Sequence, residues 1–305
     1  MRNHLHGIDH SLVLVRELDR ARETFTRLGF TVAPLGRHGA EMGTGNHIVV
    51  FDEDYIELLG VLTPSEFNQM FRDALRVREG IAAAALRTDD VIAAAAEMSA
   101  AGVPMSLPMT VRRSVSTADG DTEAAFRITR FVNVTGYLEL FYTAPENRQH
   151  TWIPSLMTHP NTAWGIDSVV VTADEPESMA ADVAGVFGTQ PRRTGDGAVM
   201  VPVAGNSIVY LSRDALLARY PGIDTYPGGD MDPGGDAVSP AGPAMLWVKV
   251  DDLDAAARWL RESDVPLYAT DDGLVVPARE ACGVMLGLRA AARPGRATHS
   301  APPPA

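Results

Sequence analysis

Three chemically competent side chains stand inside apolar segments of the first half of the sequence. His10 lies in "GIDHSLVLV", Glu57 in "YIELL" and Glu139 in "YLELF". A carboxylate within a buried strand is costly unless it is paired or binds a metal. Imidazole and carboxylate groups together suit Zn, Mn, Fe, Co or Ni. The sequence therefore predicts that His10, Glu57 and Glu139 bind one divalent metal ion, whose identity stays open.

These residues occupy matching positions of a repeated unit that reads as strand, helix and three strands, with copies beginning near residues 7, 80, 165 and 244. The position of His10 is held in the later copies by Ala83, Ser168 and Met245. The position of Glu57 is held in the later copies by Glu139, Val209 and Leu286. The second half therefore lacks candidate ligands. If the first two copies pack around a local twofold axis, Glu57 and Glu139 face each other, and their mutual repulsion favours a cation between them.

A structural role is the competing interpretation of each residue. A single histidine on a strand is usually hydrogen-bonded within the protein or exposed, and the alternation in "YIELL" also suits a glutamate that points to solvent. The agreement of three such residues in register favours the metal site.

The bulk composition narrows the function classes. The net charge is −13, and an acidic surface repels nucleic-acid phosphates. The single cysteine, Cys282, allows no internal disulfide and fits the cytoplasm. No apolar run reaches the about 18 residues that a membrane helix needs, and the first residues lack a signal-peptide layout. We expect a cytoplasmic protein that binds a small molecule and neither nucleic acid nor membrane.

The stretch that contains "GIDHSLVLV", "LGFTV", "RHGAEMGTGN" and "YIELLGV" resembles the glyoxalase-like branch of the vicinal oxygen chelate superfamily. That superfamily includes glyoxalase I, fosfomycin-resistance proteins, extradiol dioxygenases and bleomycin-binding proteins. The segment "HPNTA" at 159–163 adds to the resemblance, which covers residues 5–165 and fades beyond them. It implies an α+β fold of four tandem βαβββ modules, paired into two cup-shaped mixed β-sheets with flanking helices.

The resemblance also implies where domains and ligands lie. We expect an N-terminal domain at 1–145 with the metal site, a linker at 146–163, a degenerate C-terminal domain at 164–292 and a disordered tail at 293–305. Family metal ligands come from the first and last strand of each unit, which here are His10, Glu57, Ala83 and Glu139. Ala83 cannot bind a metal. The open alternatives are a site with three protein ligands, a lineage without metal, or a replacement ligand among His47, His150 and His159.

Four residues are predicted to contact the substrate. Thr44 and Asn46 in "GTGN" are placed to line the pocket, although the same residues suit a turn. His150 in the linker can fold over the cup. Among the arginines Arg112, Arg113, Arg127 and Arg130, one is expected to bind a substrate carboxylate or phosphate. We assign that role to Arg127, against the alternative of a solvent-facing charge.

The predicted chemistry is proton transfer on a small substrate whose neighbouring oxygens chelate the metal, which acts as a Lewis acid. Glu139 faces the gap at Ala83 and is predicted to be the general base, as in a lyase or isomerase of the glyoxalase kind. An extradiol-type dioxygenase is the alternative enzyme, although that chemistry commonly uses two histidines and one carboxylate. A metal-free protein that sequesters an antibiotic is the alternative of another class. A homodimer also stays open.

Overall fold

The computed structural model describes residues 1–117, 120–132, 134, 137–224 and 241–293, and each half of the chain forms one eight-stranded sheet. The first sheet contains β1 (Ile8–Leu14), β2 (Gly36–Arg37), β3 (Thr44–Val50), β4 (Tyr55–Val61), β5 (Gly80–Arg87), β6 (Met109–Thr117), β7 (Gly120–Arg130) and β8 (Glu139–Pro145). The second sheet contains β9 (Ala163–Thr172), β10 (Arg192–Arg193), β11 (Val199–Val203), β12 (Asn206–Leu211), β13 (Gly242–Val250), β14 (Tyr268–Thr270), β15 (Gly273–Val276) and β16 (Met285–Ala290).

Both sheets share one connectivity. The strand orders are β2-β3-β4-β1-β5-β8-β7-β6 and β10-β11-β12-β9-β13-β16-β15-β14. In the first sheet β1 runs parallel to β4 and antiparallel to β5, and β5 runs parallel to β8. The second sheet repeats these relations. The predicted α+β fold of paired βαβββ modules in two mixed, cup-shaped sheets is therefore confirmed.

Six α-helices lie within the described residues: α1 (Leu18–Arg27), α2 (Gln69–Val77), α3 (Val91–Ala100), α4 (Pro176–Phe187), α5 (Arg213–Arg219) and α6 (Leu253–Glu262). Four of them follow the first strand of a module. Helices α2 and α5 belong to no module, because each lies in the connection between the two modules of one sheet. Within the described residues, no helix has the length and apolar character needed to cross a bilayer.

Alternation along the strands divides the buried side chains between two environments. On β1, Val13 belongs to the largest apolar cluster, whereas Leu12 and Leu14 belong to a smaller one that also contains Phe71 and Phe126. The largest cluster draws on both halves of the chain. One face of the first sheet therefore packs in a core shared with the second half, and the other face lines its own cup.

The pairing register tests the alignment of the repeats. His10 pairs with Tyr55 and Ser168 pairs with Ser207, so Ser168 holds the place of His10. Ala83 pairs with Glu139, whereas Met245 pairs with Met285. The place of Glu139 is thus held by Met285, and the prediction of Leu286 was wrong by one residue. Glu57 pairs with Leu12 and Glu139 pairs with Ala83, so the predicted equivalence of Ala83 with His10 and that of Glu139 with Glu57 do not both hold in the strand register. A shift of one residue changes the face of a strand, and Leu286 accordingly packs in the shared core.

The predicted boundaries fall near strand ends. β8 ends at Pro145 and β9 begins at Ala163. The division into two domains joined by a linker stays a prediction. Of the predicted tail, Arg293 is described and pairs with Asp52, and residues 294–305 lie outside the described part of the chain.

Candidate functional site

A cavity opens on the concave face of the first sheet. It holds about 660 Å³ of space between side chains, part of which is open to solvent. Its apolar wall includes Leu12, Leu59, Phe67, Phe71, Phe126 and Phe141. Polar and charged groups also line it, and among them are His10, His38, Glu57, Arg113, Arg130 and Glu139. An apolar pocket with a few convergent polar groups is the usual form of a small-molecule site.

His10 is held by its neighbours in one orientation. It lies on β1, its Nδ1 donates to Asp9 Oδ1 at 2.7 Å, and its ring stacks on Tyr55 with the centroids 4.4 Å apart. Because a carboxylate accepts only, the hydrogen of a neutral imidazole resides on Nδ1. The His10 Nε2 therefore presents a lone pair toward Glu57, whose Oε2 lies 3.6 Å away.

Glu57 is buried on β4, with 7% of the residue exposed. Its Oε1 accepts a hydrogen bond of 2.6 Å from Asn46 Nδ2 on β3, which leaves Oε2 directed at His10. Asn46 thus fixes one carboxylate oxygen, and Asp9 fixes one imidazole nitrogen. Such outer partners are typical of ligands that are oriented for a metal ion.

Glu139 lines the same cavity from the first residue of β8, next to Ala83 on β5. Its Oε1 forms an ion pair of 2.9 Å with Arg130 Nη1, and both side chains are about a quarter to a third exposed. The fold therefore brings the three predicted metal ligands to one cavity. Across the described residues, however, no group of three or more His, Cys, Asp or Glu side chains is placed to hold an ion. The three-ligand centre stays a prediction.

The donor set fits a metal ion in part. Two atoms bound to one cation at about 2.1 Å lie about 3.0–3.5 Å apart, and the 3.6 Å between His10 Nε2 and Glu57 Oε2 is close to that range. Glu139 would have to exchange Arg130 for the metal to become a third donor.

Of the four predicted substrate-binding residues, Asn46 lines the cavity and the other three do not. Thr44 is buried beside His38, whose Nδ1 lies 2.9 Å from the hydroxyl. Arg127 is exposed and pairs with Glu146 at 3.7 Å. The His150 Nδ1 donates to the backbone carbonyl of Glu123 at 2.7 Å. The alternation of side chains along β7 explains why Arg127 lies outside the cavity. Phe126, Ile128 and Arg130 face the cavity, and the residues between them face away.

The histidines considered as replacements for the missing ligand also lie outside the cavity lining. The Nδ1 of His47 donates to the carbonyl of Ala33 at 2.8 Å. His159 accepts from the Thr31 backbone N–H at Nδ1 and donates from Nε2 to the Val50 carbonyl, at 3.0 and 2.9 Å. Burial lowers the pKa of His159 to about 4. Both nitrogens of His159 are therefore committed to backbone groups.

Sequence reasoning missed His38 and did not choose Arg113. Burial lowers the pKa of His38, partly offset by the nearby carboxylate of Glu57. Burial also lowers the pKa of the Arg113 guanidinium. Arg113 has the same parity on β6 as Val111, which lines the cavity, whereas Arg112 is exposed and pairs with Glu123 at 2.7 Å. That parity was the available signal for choosing among the arginines.

A family model described as a glyoxalase-like domain matches residues 8–187, which is more than half of the chain. No curated protein sequence matches significantly. A solved hypothetical protein from Staphylococcus aureus is 13% identical with a TM-score of 0.66, covering 93% of this chain and 99% of its own. The Mn(II)-bound glyoxalase from Novosphingobium aromaticivorans is 13% identical with a TM-score of 0.53, covering 94% and 82%. A mutant 4-hydroxymandelate synthase from Streptomyces coelicolor is 16% identical with a TM-score of 0.52, covering 88% and 77%. These structures are similar in fold.

Proposed function

Because the chain belongs to the glyoxalase-like domain family, we propose that its first cup is the active site of a divalent-metal-dependent enzyme. The reaction is a proton transfer on a small substrate with neighbouring oxygens, as in a lyase or isomerase. The observation that carries the proposal is the buried pair of His10 and Glu57, held by Asp9 and Asn46 at the base of an apolar cavity.

His10 and Glu57 would hold the metal ion, which when bound acts as a Lewis acid on a substrate oxygen. Asp9 keeps the hydrogen of His10 on Nδ1, so that Nε2 is free to bind. Asn46 keeps one oxygen of Glu57 occupied and the other turned toward His10. The ligands are thereby oriented before any ion arrives.

Glu139 is the general base in this proposal. The ion pair with Arg130 engages its Oε1 and leaves Oε2 to accept a proton from a substrate carbon. The neighbouring residue across the strand pair is Ala83, whose small side chain leaves room for a substrate next to the carboxylate. The phenylalanines of the cavity wall reduce the amount of water next to that carboxylate.

One observation favours a second candidate of another class. In the described part of the chain Glu139 is engaged by Arg130, and no three-donor group is present. A cavity with two candidate donors and a mainly apolar wall also suits a protein that binds a small molecule without a metal. The dioxygenase stays the alternative enzyme, and the identity of the metal separates redox chemistry from proton transfer.

The test is a metal titration of the purified protein with Zn²⁺, Mn²⁺, Fe²⁺, Co²⁺ and Ni²⁺, followed by elemental analysis and calorimetry. We expect near-stoichiometric binding of one of them in the wild type, and its loss in His10→Ala and Glu57→Gln. The matched control is His4→Ala, since His4 is partly exposed and bonded to Asp89 outside the cavity. Equal binding in all variants contradicts the assigned ligands, and a wild type that binds no metal supports sequestration.

Glu139→Gln separates the base from a ligand. A general base can be replaced without loss of the ion, so this variant should keep its metal content and lose turnover. If the metal is lost as well, Glu139 is a ligand and not the base.

A further inference from the structure

Arg113 is a buried guanidinium in the cavity wall. Only 5% of the residue is exposed, and among the described residues no carboxylate forms an ion pair with it. Its one side-chain hydrogen bond in that part of the chain is a long contact of 3.4 Å from Nη2 to the hydroxyl of Thr151. A guanidinium carries five N–H donors in a planar fork. Most of the binding capacity of Arg113 is therefore unused.

The other cavity charges do not neutralise Arg113. Glu57 is near enough to act on it through space, yet its oxygens are directed at Asn46 and His10. Arg130, the second arginine of the lining, is already paired with Glu139. A buried charge without a close partner is unfavourable, so the fold leaves a place here for a negative group from outside the chain.

We propose that Arg113 binds the carboxylate of the substrate, and that the substrate is a monocarboxylate with an apolar aryl or alkyl body. One free guanidinium balances one negative charge, and its fork matches the two oxygens of a carboxylate. A phosphate dianion would need a second free cation, and Arg130 is occupied by Glu139. The apolar body faces Phe67, Phe71, Phe126 and Phe141. This inference rests on the proposed function in using the same cavity.

The geometry also places the carboxylate relative to the proposed metal ligands. The backbone of Arg113 on β6 forms an antiparallel β-bridge with that of His38, and both residues line the cavity together with Glu57. A carboxylate on Arg113 therefore lies on the β6 side, with the rest of the molecule extending toward the phenylalanine wall. Arg113 is close enough to Glu57 for the two charges to interact, so a group next to the bound carboxylate is near the proposed metal ligands.

The test measures ligand binding and needs neither metal nor turnover. Chelator-treated protein is titrated with 3-phenylpropanoate, hexanoate, 3-phenylpropanamide and phenyl phosphate by calorimetry. Charge-assisted hydrogen bonds predict that the wild type prefers the carboxylate to the matched amide by about 10- to 100-fold. Arg113→Met should remove that preference by weakening the carboxylate and not the amide. Arg112→Met is the matched control, because Arg112 is exposed on the same strand, and it should bind as the wild type does.

Arg113→Met removes a buried charge that has no close carboxylate partner and keeps a side chain of similar length, so the variant should fold. Arg113→Lys provides a second variant, which keeps the charge without the fork and should retain part of the preference. Carboxylate affinity that is unchanged in Arg113→Met overturns the proposal, as does a wild type that prefers the amide or the phosphate, or one that binds neither carboxylate at millimolar concentration. Loss of metal binding in the earlier test leaves these readouts intact, so the two failures are distinguishable.

Discussion

Asp54→Asn should stabilise the protein most at alkaline pH. Asp54 lies in the turn between β3 and β4, and its Oδ1 accepts a hydrogen bond of 2.8 Å from the backbone N–H of Ile166 on β9. It therefore joins the two halves of the chain. Burial raises the pKa of Asp54 to about 7, against the opposing effects of the Ile166 hydrogen bond and of Lys249 and Arg87.

The sign and size of the effect follow from proton linkage. In the unfolded chain the pKa of Asp54 is near 3.8, the ordinary value for an aspartate side chain. Between pH 3.8 and about 7 the folded state therefore holds a proton that the unfolded state has released. The free energy of unfolding therefore falls as pH rises through this window. A shift of about three pKa units corresponds to about 4 kcal/mol in total, of which roughly 2–3 kcal/mol falls between about pH 5 and pH 8.

Asparagine keeps an acceptor for the Ile166 N–H and cannot ionise. The stability of Asp54→Asn relative to wild type should thus rise by roughly 2–3 kcal/mol between about pH 5 and pH 8, measured by urea unfolding with tryptophan fluorescence. Glu53→Gln is the control, because Glu53 is exposed next to Asp54 and loses the same charge. A difference between Asp54→Asn and wild type that stays flat with pH, or that falls, would refute the reasoning.

Two further predictions concern buried titratable groups. His159 has a folded pKa of about 4 against 6.5 when unfolded, so stability is lost as pH falls through that range. His159→Gln should lose less of its melting temperature than wild type between neutral and mildly acidic pH, and equal losses would contradict this. Burial raises the pKa of the Cys282 thiol to about 12. Its reaction with a disulfide reagent near pH 8 should be at least about tenfold slower in folded than in unfolded protein, and similar rates would show an accessible thiolate.

The repeated unit made the fold class predictable from sequence. Four copies of one strand and helix pattern restrict the topology far more than any single element does. Leu18, Ala21 and Phe25 recur at helical spacing, and all three are buried on α1. Local patterns of this kind report which elements form, because they depend on residues close in the chain.

The face of the sheet on which each side chain lies and the pairing register of the strands were harder to predict, because both depend on contacts between residues distant in sequence. All seven residues of β1 are buried, so the alternation that usually marks an outer face is missing. The sequence therefore does not show which face of a strand lines the cup, and Arg127 was chosen where Arg113 and Arg130 line it. The placement of Leu286 instead of Met285 has the same origin, since strand register is set between β13 and β16.

In the candidate site, too, some features were predictable from the sequence and others were not. The residue types of His10, Glu57 and Glu139 and their places in the repeat predicted that they share one cavity, and they do. The partners that decide their chemistry were not foreseeable, because Asn46 on β3 and Arg130 on β7 reach them from other strands. The ion pair of Glu139 with Arg130 joins two strands and leaves no signature in the sequence around either residue.

Helix α2 supplies Phe71 to the first cup, although it is part of no repeat. Helix α5 does the same in the second cup with Leu216 and Arg219. Neither helix takes part in the hydrogen bonds between strands. Mutations in these helices can therefore change the lining of the cavities while the sheets keep their hydrogen bonds. The residues that line each cavity from these connections can thus change at a small cost in foldability, and in the first cup such changes would alter which small molecule fits.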